Sequence, residues 1–131
     1  MSESIGLIGV GLVGTALAEN LLAGGYRVVG FDVDETRNER LRQLGGQSAG
    51  SAAEVSRRAE RVLLALMDSE VVQRAVEGQQ GILAGEGKAR LIIDTSTGEP
   101  DRTAALAARL RSRGVALLDA TISGSSEQIR R

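Results

Sequence analysis

Residues 5–14 read Ile-Gly-Leu-Ile-Gly-Val-Gly-Leu-Val-Gly, an apolar run closed by Gly9, Gly11 and Gly14. This G-x-G-x-x-G spacing constrains the chain more than any other feature, because each glycine has its own physical task. Gly9 lets a strand turn sharply, Gly11 leaves the backbone open to a diphosphate, and Gly14 lets the next helix pack close to the strand. The start of that helix adds unpaired N–H groups and the positive end of a dipole. A second apolar run, Val28 to Phe31, stops at Asp32. That acid lies 18 positions past Gly14, near the spacing of about 20 at which a carboxylate meets the ribose of a dinucleotide. Glycines are 17 of the 131 residues, so the spacing alone also fits a plain strand–helix turn. The strand before it, the helix after it, the second strand and its terminal acid together favour a dinucleotide site.

A chain of 131 residues is one domain, 1–131, large enough for a real core. The net charge of −1 and the lack of basic clusters argue against nucleic acid as a partner. Tyr26 and Phe31 are the only aromatic residues. The absence of cysteine excludes disulfides and thiolate chemistry, and the absence of histidine removes the commonest proton carrier and metal ligand. No apolar run approaches the roughly 18 residues of a membrane span, and Met1-Ser-Glu-Ser4 lacks the features of a secretory signal. A cytoplasmic protein without membrane contact is expected.

Along the chain, strands and helices alternate. Ile5–Gly9 reads as a strand buried on both faces. Leu12–Ala23 reads as a helix with Val13, Leu17 and Leu21, beside Ala16, toward the sheet. Tyr26–Phe31 is the second strand. Asp34 is the expected N-cap of a helix through Leu44, with Leu41 and Leu44 inward. A short third strand is placed at 47–49, and Ser51-Ala-Ala-Glu54 is a capping box that opens a short helix. Arg61–Met67 reads as a central strand, followed by a helix over 69–77 and a glycine-rich connection over 78–87. Arg90–Asp94 is the fifth strand, Pro100 opens a helix to about Arg113 with Leu106 and Leu110 inward, and Val115–Asp119 is the sixth. This pattern predicts an α/β fold in three layers, a doubly wound parallel sheet of Rossmann type with strand order 3-2-1-4-5-6.

Ligands bind such sheets beyond the C-terminal ends of the strands. On that edge lie Gly11, Asp32, Met67 with Asp68 and Ser69, Thr95-Ser-Thr97, and the stretch 121–124. The hydroxyls of Thr95, Ser96 and Thr97 either reach the cofactor or cap the next helix. Ser123 and the N–H of Gly124 either bind a substrate carboxylate or belong to an ordinary loop. Without His or Cys, the remaining customary proton donors are Lys and Tyr, yet Tyr26 and Lys88 both precede strands and sit at the opposite edge. Asp68 is on the correct edge, but an exposed loop carboxylate is a poor acid at neutral pH, and it reads as a helix cap. The domain is expected to hold a cofactor without supplying an acid/base residue, so no catalytic residue is assigned within it.

These stretches resemble the β-hydroxyacid dehydrogenases, the family of 3-hydroxyisobutyrate dehydrogenase, tartronate semialdehyde reductase and the 6-phosphogluconate dehydrogenases. Ile5–Gly14 through Ala18-Glu-Asn20-Leu resembles the family's cofactor signature. Asp94-Thr-Ser-Thr97-Gly-Glu-Pro100 resembles its D-x-S-T-x-x-P segment, whose threonine contacts the cofactor. Leu66-Met67 stands where the family has Leu-Pro. Asp119-Ala-Thr-Ile-Ser123-Gly124-Ser125 resembles its substrate segment D-A-P-V-S-G-G, with Thr121 for Pro and Ser125 for the second Gly. The resemblance implies cofactor contacts from Gly9, Gly11, Leu12, Val13, Gly14, Asp32, Leu66, Met67 and Thr97, substrate contacts from Ser123 and Gly124, and no metal site. It further implies a helical, dimer-building domain that carries a catalytic lysine in G-x-x-x-K-x-x-x-N. Nothing in 1–131 matches that motif.

The expected function is therefore the cofactor domain of an NAD(P)-dependent 3-hydroxyacid dehydrogenase or semialdehyde reductase, an oxidoreductase whose parent is a homo-oligomer acting on a small hydroxy acid or semialdehyde. A non-catalytic NAD-binding module and the cofactor domain of an imine reductase are the alternatives. NADP-using relatives carry Asn-Arg-Thr after the second strand; the two acids of Asp32-Val-Asp34 would repel a 2′-phosphate and favour NAD. Arg37 and Arg40 are placed to fold back and soften that preference, so NADP stays open.

Overall fold

The computed structural model describes residues 3–120. Six strands and five helices alternate: β1 (Ser4–Ile8), α1 (Leu12–Ala23), β2 (Arg27–Phe31), α2 (Glu35–Leu44), β3 (Gln47–Ser48), α3 (Ala52–Arg58), β4 (Arg61–Leu64), α4 (Ser69–Glu77), β5 (Leu91–Asp94), α5 (Pro100–Arg111) and β6 (Ala116–Asp119). The sheet runs β3-β2-β1-β4-β5-β6, and every neighbouring pair is parallel. This is the predicted doubly wound order. The chain starts at the centre, walks out to β3, then crosses back to β4, which leaves the C-terminal ends of β1 and β4 diverging around the switch point.

Two apolar clusters cover the two faces of the sheet. Leu7, Val10, Ala18, Val28 and Leu41 join the sheet to α1 and α2. On the other face, Ile8, Val55, Val62, Leu64, Val76, Ile92, Leu106 and Leu110 pack the sheet against α3, α4 and α5. Both faces of the central strands are thus apolar, as parallel strands require.

Three details differ from the sequence reading. In α1 Ala16 is buried as expected and Leu21 packs on the core from a half-buried position, but Val13 and Leu17 are only half-buried, and Gly14, Thr15 and Ala18 are the other buried residues. The cause is proximity: a Cβ at Gly14 would stand 1.9 Å from the Gly9 carbonyl oxygen, so the helix lies too near the sheet for large side chains beneath it. In α2, Leu41 is buried as expected but Leu44 is 38% exposed, and Asn38 takes the second inward position. Lastly, β4 stops at Leu64 rather than Met67. Its ladder with β1 ends at the Ile8–Leu64 pair, because Gly9 turns the partner away.

The helix caps are those the sequence indicated. Asp34 accepts a hydrogen bond from the Thr36 N–H at 2.9 Å, Ser51 from Glu54 N–H at 3.1 Å, and Asp68 from Val71 N–H at 2.9 Å. The Glu54 carboxylate reaches back to the Gly50 N–H at 2.9 Å, one residue before the position a capping box uses. No helix among the described residues is long and apolar enough to cross a membrane.

Candidate cofactor-binding site

The glycine turn is shaped from within. Gly9 has φ +97°, and a Cβ there would stand 2.3 Å from the Ala65 carbonyl oxygen, so both its conformation and its surroundings demand glycine. Gly11 differs: an added Cβ would meet only the Arg37 guanidinium, with Nη1 at 3.8 Å. Folding therefore does not fill the space over Gly11. That residue is also the N-cap of α1 and provides no side-chain cap, which leaves the first N–H groups of the helix without an intrahelical partner. An open, donor-lined turn at the positive end of a twelve-residue helix suits an anion.

Above this turn lies a cleft of about 720 Å³, within the usual range for small-ligand sites. Gly9, Gly11, Leu12, Val13, Asp32, Leu66, Met67 and Thr97 all line it. Gly14 does not; it sits beneath the turn, where its missing side chain allows the close helix approach. Leu12, Val33 and Met67, 77%, 92% and 76% exposed, give the mouth an apolar rim suited to planar rings. Ser123 and Gly124 lie outside the described residues.

Asp32 is 7% exposed and is engaged within the protein. Its Oδ2 accepts from the Val10 N–H at 2.7 Å and its Oδ1 from the Asp34 N–H at 2.9 Å. Arg37 stands over it, with Nη1 3.5 Å from Oδ2 and Nε 3.9 Å from an Asp34 oxygen. A carboxylate has about four acceptor directions, so Asp32 retains capacity for a ligand hydroxyl. Arg37 does fold back into the cleft, whereas Arg40 is not among its lining residues.

The segment after β5 divides its work. The Thr95 hydroxyl donates to the Leu64 carbonyl at 2.6 Å, and Ser96 Oγ accepts from the Leu66 N–H at 2.8 Å. Both hydroxyls bind the chain to itself, so neither acts as the next helix's cap; Thr95 and Thr97 both line the cleft, and of the three only Thr97 is exposed. Asp94 is buried and accepts from the Ser96 N–H at 2.9 Å. Burial pushes its carboxyl above the ordinary aspartate value, hydrogen bonds from Ser96 pull the other way, and the neighbouring Asp119 adds to the rise.

Sequence reasoning missed the wall built by α4 and the α3 start. Ser51, Ala52, Val71, Arg74, Ala75 and Gln80 line the cleft; the 71, 74, 75 spacing that puts three of them on one helical face was the available signal. Tyr26 and Lys88 precede β2 and β5 and are absent from the lining. Among the described residues no cluster of acids could hold a metal.

The chain is similar to known proteins in sequence and in fold. Residues 4–131 match the model of the family described as the NAD binding domain of 6-phosphogluconate dehydrogenase. Mitochondrial 3-hydroxyisobutyrate dehydrogenase of Mus musculus is 34% identical over 120 residues, 92% of this chain and 36% of that protein. L-threonate dehydrogenase of Cupriavidus necator is 32% identical over 96% of this chain and 42% of its own length. Among solved structures, 3-hydroxyisobutyrate dehydrogenase of Mycobacterium tuberculosis superposes with a TM-score of 0.85 at 32% identity, over 97% of this chain and 43% of the other. The chain thus spans well under half the length of these relatives.

Proposed function

We infer function from the premise that this chain belongs to the family of the NAD binding domain of 6-phosphogluconate dehydrogenase: it serves as the cofactor-holding part of an NAD-dependent 3-hydroxyacid dehydrogenase or semialdehyde reductase. The observation that carries this reading is the open turn at Gly11, where a Cβ would touch only Arg37, facing a cleft lined by Asp32 and Thr97.

The residue roles follow from chemistry. The N–H groups at the α1 start take the diphosphate. Asp32 accepts from an adenosine ribose hydroxyl. Leu12, Val13, Leu66 and Met67 flank the rings, and Thr97 offers a hydroxyl toward the nicotinamide half. A bound nicotinamide supplies hydride transfer. Proton transfer needs a customary donor that the described residues do not place in the cleft, since Tyr26 and Lys88 stand at the other edge of the sheet. That group, the rest of the substrate pocket and the surface for homo-oligomer assembly are assigned to sequence beyond this domain. Ser123 and Gly124 are assigned to the substrate carboxylate.

Asp32 and Asp34 disfavour a 2′-phosphate, and NAD is the preferred cofactor. The pairing of Arg37 with both acids reduces the repulsion and leaves measurable NADP binding. Calorimetric titration of the chain with NADH and NADPH tests the reading: NADH is expected to bind more tightly, and failure of both to bind would overturn it.

A further inference from the structure

Asn38 is a buried polar side chain, 4% exposed, on a helix whose other inward residue is Leu41. Its amide pairs with the main chain of one residue, Asp32, in both directions. Asn38 Oδ1 accepts from the Asp32 N–H at 2.9 Å, and Asn38 Nδ2 donates to the Asp32 carbonyl at 2.9 Å. Nδ2 also donates to Glu35 Oε2 at 3.2 Å. This is the bond pair a neighbouring strand would supply, at a place where none exists: β3 is two residues long and its register covers only Val29 and Gly30. The main chain of Asp32 is therefore held on both sides by a side chain in place of a ladder. Its carboxylate then reaches Val10 N–H at 2.7 Å in the glycine turn.

We propose that Asn38 is a positioning residue that sets discrimination between NADH and NADPH by fixing the main chain of Asp32, and through it the carboxylate that faces the adenosine ribose. The proposal rests on the cofactor assignment above. Repulsion between a carboxylate and a 2′-phosphate depends on their separation and on solvent access. A carboxylate anchored at its own backbone keeps that separation short; one on a loose peptide swings away and admits the phosphate. Asn38 touches no cofactor atom and acts only through Asp32.

The test compares wild type with Asn38→Leu, which keeps the branched outline at a somewhat larger size and removes both bonds, and Asn38→Ser, which is smaller. The readout is the ratio of dissociation constants for NADPH and NADH by calorimetry, with adenosine 2′,5′-bisphosphate and AMP as fragments that isolate the 2′-phosphate. Both variants are expected to lower the NADPH-to-NADH ratio about five- to tenfold, the size of a coupling of roughly 1–1.4 kcal/mol. In an Asp32→Ala background the same substitutions are expected to leave the ratio unchanged. An unchanged ratio in the Asn38 variants, with only a lower melting temperature, would make Asn38 a purely structural residue and overturn the proposal, as would failure of both variants to fold. Wild-type chain that binds neither dinucleotide would instead strike at the cofactor assignment.

Discussion

The α-carbon of Gly14 faces the carbonyl of Gly9 with no room for a methyl group, since a Cβ at Gly14 would lie 1.9 Å from that oxygen and 2.9 Å from its carbon. The obstacle is backbone on both sides, so no side-chain rotation relieves it. Gly14→Ala is expected to push α1 off the sheet and cost about 1–3 kcal/mol, the usual range for overpacking. Urea denaturation checks the value.

Gly11→Ala separates folding from binding. Only the end of Arg37, a flexible side chain, comes within 4 Å of the added carbon, so stability should change by no more than about 1 kcal/mol. The same methyl would project into the space assigned to the diphosphate, and NADH affinity is expected to fall at least tenfold. Calorimetry alongside a thermal melt distinguishes this variant from Gly14→Ala.

Asp32→Ala removes a partner from both the ligand and the Val10 N–H. NADH binding should weaken while NADPH binding holds or improves. Unchanged selectivity would remove Asp32 from its ribose role.

The Asp94 carboxyl gives stability a definite pH slope. Its folded-state value is raised, so the native state retains this proton to higher pH than the unfolded chain does. The contribution is fully present below the unfolded aspartate value and declines as pH rises through the folded one. Asp94→Asn is expected to flatten that decline above about pH 4. The difference in unfolding free energy between wild type and variant, measured across pH 4 to 7, isolates this group from Glu77, whose carboxyl is held below its usual value by Arg109 and contributes the opposite slope.

Arg109 donates through Nε and Nη2 to the two oxygens of Glu77, both at 2.8 Å, tying α5 to α4. Arg109 is 47% exposed at its side chain, so solvent screens the pair. Arg109→Gln should cost less than about 1 kcal/mol and less still at high salt, readable as a small shift in the urea midpoint.

The parts of this fold legible in the sequence were those governed by spacing. Gly9, Gly11, Gly14 and Asp32 announced the first crossover, and Asp34, Ser51 and Asp68 marked helix starts, because a cap is a local bond between residues two or three apart. The inward face of α1 was legible only in part: Ala16 is buried and Leu21 packs on the core, but counting large apolar residues assumes an ordinary helix-to-sheet distance, and Gly14 shortens it. Asn38 escaped notice for a related reason: a polar residue between charged neighbours reads as surface until the peptide it serves, six positions earlier, is placed beside it. Thr95 and Ser96 were visible as candidates, yet their partners lie some thirty residues away on another strand end, which no local pattern encodes. The α4 wall had a helical spacing to show but nothing to say which way that face pointed.

The bonds from Thr95 to Leu64 and from Leu66 to Ser96 carry one more lesson. They splice two loops past the point where their strands stop pairing, so residues 64–67 and 94–97 form one mechanical part made from two stretches of gene. Anyone grafting cofactor-facing loops from a relative would need to move both stretches together, because either alone would arrive with its stitches cut.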